Sequence, residues 1–163
     1  MKHSLVMASC GILLLALCCG CDGRGARAES IEPAMLITSA DASELTGGSF
    51  SGCTASEQPA VGLKLCVYDN GKDFLQIGLT RAAFMAENSR REPKEIFNGI
   101  RAAFPDAAKI EGVGDDNFVA PPGIHILQGD SYISLSLGLM TRDQNKLKAA
   151  ALKAIENLNR LRP

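Results

Sequence analysis

Ile124-His125-Ile126-Leu127-Gln128-Gly129-Asp130-Ser131-Tyr132-Ile133-Ser134-Leu135-Ser136-Leu137 is two apolar-rich runs joined by a Gly-Asp pair. Such a pair is a two-residue hairpin turn signal. With Gly129-Asp130 as the loop, Gln128 faces Ser131, Leu127 faces Tyr132, Ile126 faces Ile133 and Ile124 faces Leu135. The isoleucines and leucines then fall on one face, and His125, Ser134 and Ser136 on the other. A slip of one residue would turn the apolar set to the wrong side, so the pattern specifies its own register.

Working outward, a second hairpin precedes the first. Leu63 to Tyr68 and Leu75 to Leu79 both alternate, with Asp69-Asn70-Gly71-Lys72-Asp73 between them. A strict Asn-Gly loop sets Leu65 opposite Gln76. A loop with an odd number of residues sets Val67 opposite Leu75 and Leu65 opposite Ile77. Burial of one face favours the odd loop and leaves Lys64, Cys66 and Tyr68 on the other side.

Helix signals separate the hairpins. Thr38 caps a short helix that Gly47 ends. Pro93 opens a second, with Ile96, Phe97, Ile100, Ala103 and Phe104 as its stripe and Pro105 as its stop. Lys109 to Val119 reads as extended chain broken by Gly112 and Gly114, and Pro121-Pro122-Gly123 turns it into the last hairpin. Thr141 and Gln144 form a capping box before a long helix, whose apolar face is Leu147, Ala151, Ala154, Ile155 and Leu158. The expected fold is α+β: a single antiparallel sheet built from two hairpins with helices packed on one face. The two halves read as a weak duplication without a residue-level repeat.

The N-terminus carries an address. Lys2 is followed by the apolar run Gly11 to Leu17, too short to span a bilayer. The run ends in Cys18-Cys19-Gly20-Cys21, where the small Gly20 precedes a cysteine. This resembles the lipobox of bacterial lipoproteins, with Cys18 where leucine is usual. The resemblance implies that residues 1–20 are a signal peptide. It also implies that Cys21 becomes a lipidated (palmitate-bearing) N-terminus held in a membrane. Acyl anchoring gains ~0.8 kcal/mol per buried methylene. Residues 21–36 then read as a flexible tether and 37–163 as one domain, facing the periplasm or extracytoplasmic space of the cell envelope.

Cys53 and Cys66 are the cysteines that remain, and in an exported domain they read as a disulfide. Closing that short loop contributes ~3 kcal/mol. Lys2 is one of the 17 basic residues, so the rest of the chain carries 16 against 18 acidic. That near-neutral balance points away from nucleic acid. Tryptophan is absent and only two tyrosines occur, which disfavours an aromatic stacking platform.

Chemistry-bearing motifs are sparse. Asp115-Asp116-Asn117 clusters carboxylate and amide oxygens that could ligate calcium or magnesium, but it lacks the ligand alternation of an EF-hand. The bland reading is a solvated turn. His125 lies opposite Ser134 on the hairpin, which invites a hydrolase reading, but no G-x-S-x-G elbow surrounds the serine. The basic residues of the last helix, from Arg142 to Arg162, read as a solvated face. No phosphate loop or metalloprotease helix occurs, and no cofactor is expected.

Ser39 to Gly48, Cys66-Val67-Tyr68, Gly112 to Asp115 and Gln128-Gly129-Asp130 together loosely resemble small bacterial lipoproteins without an agreed activity. That likeness implies a one-sheet fold and a disulfide, and carries over no catalytic residue. The expected function is a membrane-anchored, non-catalytic binding or interaction module with an envelope protein partner. An accessory subunit of a secretion or transport complex is the alternative, and a hydrolase using His125 comes last. A binding module should keep an exposed apolar patch.

Overall fold

The computed structural model describes residues 31–138 and 143–162. Residues 1–20, expected to be a signal peptide, lie outside them, as do Cys21 and Thr141. One six-stranded, wholly antiparallel sheet runs in the order β1-β2-β3-β6-β5-β4. Its strands are β1 Thr54–Gln58, β2 Leu63–Asp69, β3 Phe74–Arg81, β4 Asp116–Ala120, β5 Gly123–Gln128 and β6 Ser131–Leu137. The helices are α1 Pro33–Leu36, α2 Ser39–Thr46, α3 Pro93–Ala102 and α4 Gln144–Leu161. Each half of the chain forms a three-stranded meander, and the two meet along β3 and β6.

The β5–β6 hairpin has the register read from its sequence. Ile124 pairs with Leu135, His125 with Ser134 and Ile126 with Ile133. Gly129 takes φ +56°, a left-handed conformation suited to glycine at the turn. Ile124, Ile126, Ile133 and Leu135 are fully buried or nearly so.

The β2–β3 register differs from the expected one. Cys66 pairs with Ile77, Tyr68 with Leu75 and Leu65 with Gly78, so the loop is the four residues Asn70 to Asp73. The Asp69 carboxylate accepts from the Gly71 N–H, and the Asn70 side-chain oxygen accepts from the N–H groups of Lys72 and Asp73. These side-chain bonds hold the longer turn. The buried face therefore carries Cys66, Tyr68, Leu75, Ile77 and Leu79. Leu63, Leu65 and Val67 point to the other side, half-buried. Tyr68 is buried because its hydroxyl donates to the Ile37 carbonyl at 2.5 Å.

Helices α1, α2 and α4 cover the face that holds Cys66, Tyr68 and the isoleucines. There α4 buries Leu147, Ala150, Ala151, Ala154 and Leu158. The expectation of helices on one face fails for α3. Phe97 of α3 packs on Phe118, Leu127 and Tyr132, which alternate with the isoleucines and so lie on the opposite face. The physical reason is that both faces of β4, β5 and β6 carry apolar residues, and the second set needs its own cover.

The capping box of α2 joins Thr38 and Asp41, and Gly47 ends the helix at φ +80°. The long helix starts later than expected, because Asp143 is its cap, accepting from the N–H groups of Asn145 and Lys146. A carboxylate there also meets the positive end of the helix dipole. The fold begins earlier than the expected boundary at residue 37. Ile31 is 2% exposed, Glu32 bridges Lys64 at 2.5 Å, and Asn157 donates to the Leu36 carbonyl at 2.9 Å. The tether reading thus keeps only the residues before Ile31.

Cys53 and Cys66 form the expected disulfide. It ties the segment entering β1 to the core face of β2. Strand β1 was not legible, because all five of its side chains, Thr54 to Gln58, are exposed and none marks a buried face.

Candidate functional site

The acidic cluster does not converge. Asp115 accepts from the Gly129 N–H at 2.6 Å and so clamps the β5–β6 turn. Asp116 is bridged by Arg101 at 2.5 Å and Lys109 at 2.7 Å, which fastens α3 to β4. Burial pushes its carboxyl up, but Lys109, the Asn117 N–H and Arg101 outweigh this and hold it below the ordinary range. Asn117 is 5% exposed and bonds the N–H and carbonyl of Ile110 and the carbonyl of Val113. The three neighbours serve three different joints. Among the described residues no group of three or more His, Cys, Asp or Glu side chains is placed to hold a metal ion.

His125 sits beneath α3, 4% exposed. Its ring stacks on Phe118 with centroids 4.5 Å apart and planes 8° apart. Its Nδ1 is 2.7 Å from the Tyr132 hydroxyl. Ser134 is its register partner across the strands, but the ring nitrogen is engaged by Tyr132. No Ser–His pair forms, so the arrangement supplies no activated nucleophile.

Burial holds the His125 imidazole below its ordinary pKa, with the backbone of Pro121 and Ala120 opposing weakly. Its Nε2 has no hydrogen-bond partner among the described residues. The unfolded chain takes up a proton near pH 6.5 that the folded chain refuses until lower pH. Stability should therefore be full above that value and fall as pH drops below it, by at most about 1.4 kcal/mol per pH unit. Urea midpoints at pH 7 and pH 5.5 measure this. His125→Phe should remove the difference, and an unchanged slope in that variant would assign it to other groups.

At the end of the sheet an open cavity of about 480 Å³ lies between α2, the β2–β3 loop and the start of α4. Leu45, Phe74 and Leu137 give it apolar walls, while Asp69, Asp73, Lys72 and Lys146 bring charges of both signs. Such a mixed rim selects no one ligand charge.

The remaining feature is a strip on the α3 side of the sheet. Helix α3 lies over β5 and β6, and among the described residues no helix covers β1, β2 and β3 there. The strip is built from Thr54 and Ser56, then Leu63, Leu65 and Val67, then Gln76. It is aliphatic along its middle and hydroxyl or amide at its sides, and Asp69 at the turn is its first charge. Gly78 forms a dip that the side chains of Leu63, Leu65 and Ser134 lean over, each within 3.1 Å of where a Cβ would stand. Alternation in β2 groups Leu63, Leu65 and Val67 on one face, which was expected to be the buried one; the four-residue loop turns Cys66 and Tyr68 inward instead.

No family model, curated protein or solved structure matches the chain. Among the described residues no helix is long and apolar enough to cross a membrane.

Proposed function

We propose that the chain is a membrane-anchored envelope lipoprotein whose domain is a non-catalytic module for binding an envelope protein. The observation that carries this reading is the uncharged aliphatic strip of Leu63, Leu65 and Val67, half-buried and covered by none of the described helices. A flat surface with an apolar centre and a hydrogen-bonding border is the anatomy of a protein interface. The lipobox-like Cys18 to Cys21 supports the anchor, and the Cys53–Cys66 disulfide suits an oxidising compartment.

Two measurements test the two halves of the proposal. Cys21→Ser should move the protein from the membrane to the soluble fraction, and retention in the membrane would end the anchoring claim. A photo-crosslinking residue at Val67 should trap one recurrent envelope protein in living cells. The same probe at Leu152, exposed on α4, should not. Equal patterns at both positions would refute the strip as the docking surface.

A further inference from the structure

Helix α3 is fastened to the sheet more lightly than α4. Of its ten residues, Pro93 and Phe97 alone are buried, whereas α4 buries a full stripe from Leu147 to Leu158. The small core under α3 stays separate from the large one under α4. The chain enters α3 through two short 3₁₀ turns, Ala82–Phe84 and Glu87–Ser89, and residues 103–115 beyond it belong to no helix or strand. Elements with few buried contacts and irregular flanks open locally before the whole protein unfolds.

Beneath this helix lies a group whose charge would break the contact. Phe97 closes over the rings of Phe118 and Tyr132, and His125 stacks on both of those rings. The imidazole meets the Tyr132 hydroxyl through Nδ1, while Nε2 has no hydrogen-bond partner among the described residues. No counter-charge stands ready for a proton there. Asp116 of β4 is taken by Arg101 and Lys109, and Lys94, Glu95 and Asp106 are exposed. No charged side chain contributes to the imidazole's lowered pKa, which burial causes. A buried charge without a partner is costly, and exposure to water relieves it.

We propose that α3 is an acid-released cover: protonation of His125 lifts it from the sheet, and the face beneath joins the open strip beside it. The two surfaces are already continuous. Ser134, the register partner of His125, and the strip residues Leu63 and Leu65 all close over Gly78. With α3 away, Phe118, Leu127 and Tyr132 would carry the apolar surface on across β6, β5 and β4. The sign follows from proton linkage. The open form takes up a proton near pH 6.5, as a solvated imidazole does, and the closed form only at lower pH. Opening is therefore favoured as pH falls below that value, by at most about tenfold per unit. Asp116 stays ionised in this range, because its carboxyl is held below the ordinary one, so its pair with Arg101 does not change. The switch does not depend on the anchoring or the partner proposed above.

Hydrogen exchange of the full chain, read by mass spectrometry and corrected for the pH dependence of the exchange chemistry, tests it. At pH 7 peptides from α3 should be less protected than those from α4. Low urea should leave α3 protection unchanged while it lowers that of α4, since a local opening exposes little surface. Between pH 7 and pH 5.5 the α3 protection should fall several-fold, up to about tenfold. His125→Phe and His125→Gln lack the titrating ring, and each should remove that fall; where one fails to fold, the other gives the reading. Equal protection and equal urea sensitivity in α3 and α4 would overturn the proposal, because α3 would then leave only when everything unfolds. So would α3 protection that ignores pH, or a fall that persists in the folded His125 variants.

Discussion

Gly123→Ala is expected to cost about 3 kcal/mol or more of folding stability, the level at which a single substitution needs a named structural cause. The cause here is contact between backbones. A Cβ on Gly123 would stand 2.0 Å from the Leu135 carbonyl oxygen and 2.9 Å from the Ser136 Cα. These are main-chain atoms of β6, so no rotamer change relieves the clash. The strands would have to part where β5 begins, beside the Ser136 hydroxyl that donates to the Pro122 carbonyl at 3.0 Å. Gly99 provides the contrast. It lies in α3, where an added Cβ meets nothing within 4 Å. Gly99→Ala should stabilise the protein by about 0.5–1 kcal/mol through helix propensity. Urea denaturation of both variants makes the comparison. A wild-type midpoint for Gly123→Ala would show that β5 and β6 do not meet this closely.

Phe97→Ala should have the other large effect, about 4 kcal/mol. Phe97 is fully buried and is the centre of the second core. Its ring lies 5.1 Å from that of Phe118 and 5.9 Å from that of Tyr132. Because α3 is the helix over this half of the sheet, truncation opens a void that other helices cannot fill. The variant should also admit water toward His125. The loss of stability on acidification should then flatten, since the desolvation that holds the imidazole down would be relieved. Measuring urea midpoints at pH 7 and pH 5.5 separates the two effects. A small loss at pH 7 would mean that α3 is not a structural cover.

How far the sequence could be read depended on how strongly each segment stated its buried face. The β5–β6 register was legible because apolar residues alternate on both sides of a two-residue turn. The β2–β3 register was not, because Cys66 and Tyr68 looked like the outer face. Tyrosine hides as well as leucine once its hydroxyl has a partner, and Ile37 supplies it. The position of α3 was lost for a related reason. Phe118, Leu127 and Tyr132 hold a second apolar phase within strands whose first phase had already been assigned inward. Of the site residues singled out beforehand, Asp115, Asp116, Asn117 and His125 all lie in the described fold, each bonded into a separate local structure. The open strip was missed because it is defined by what does not cover it, and alternation along a strand cannot show that.

The covalent link between Cys53 and Cys66 also governs when the molecule becomes complete. Strand β1 buries no side chain, so without the disulfide, backbone pairing and the Glu57–Lys64 ion pair at 3.3 Å would be what keeps it on β2. A chain kept reduced would hold its outer strand less firmly, and oxidation of this one pair is the step that fastens the border of the sheet.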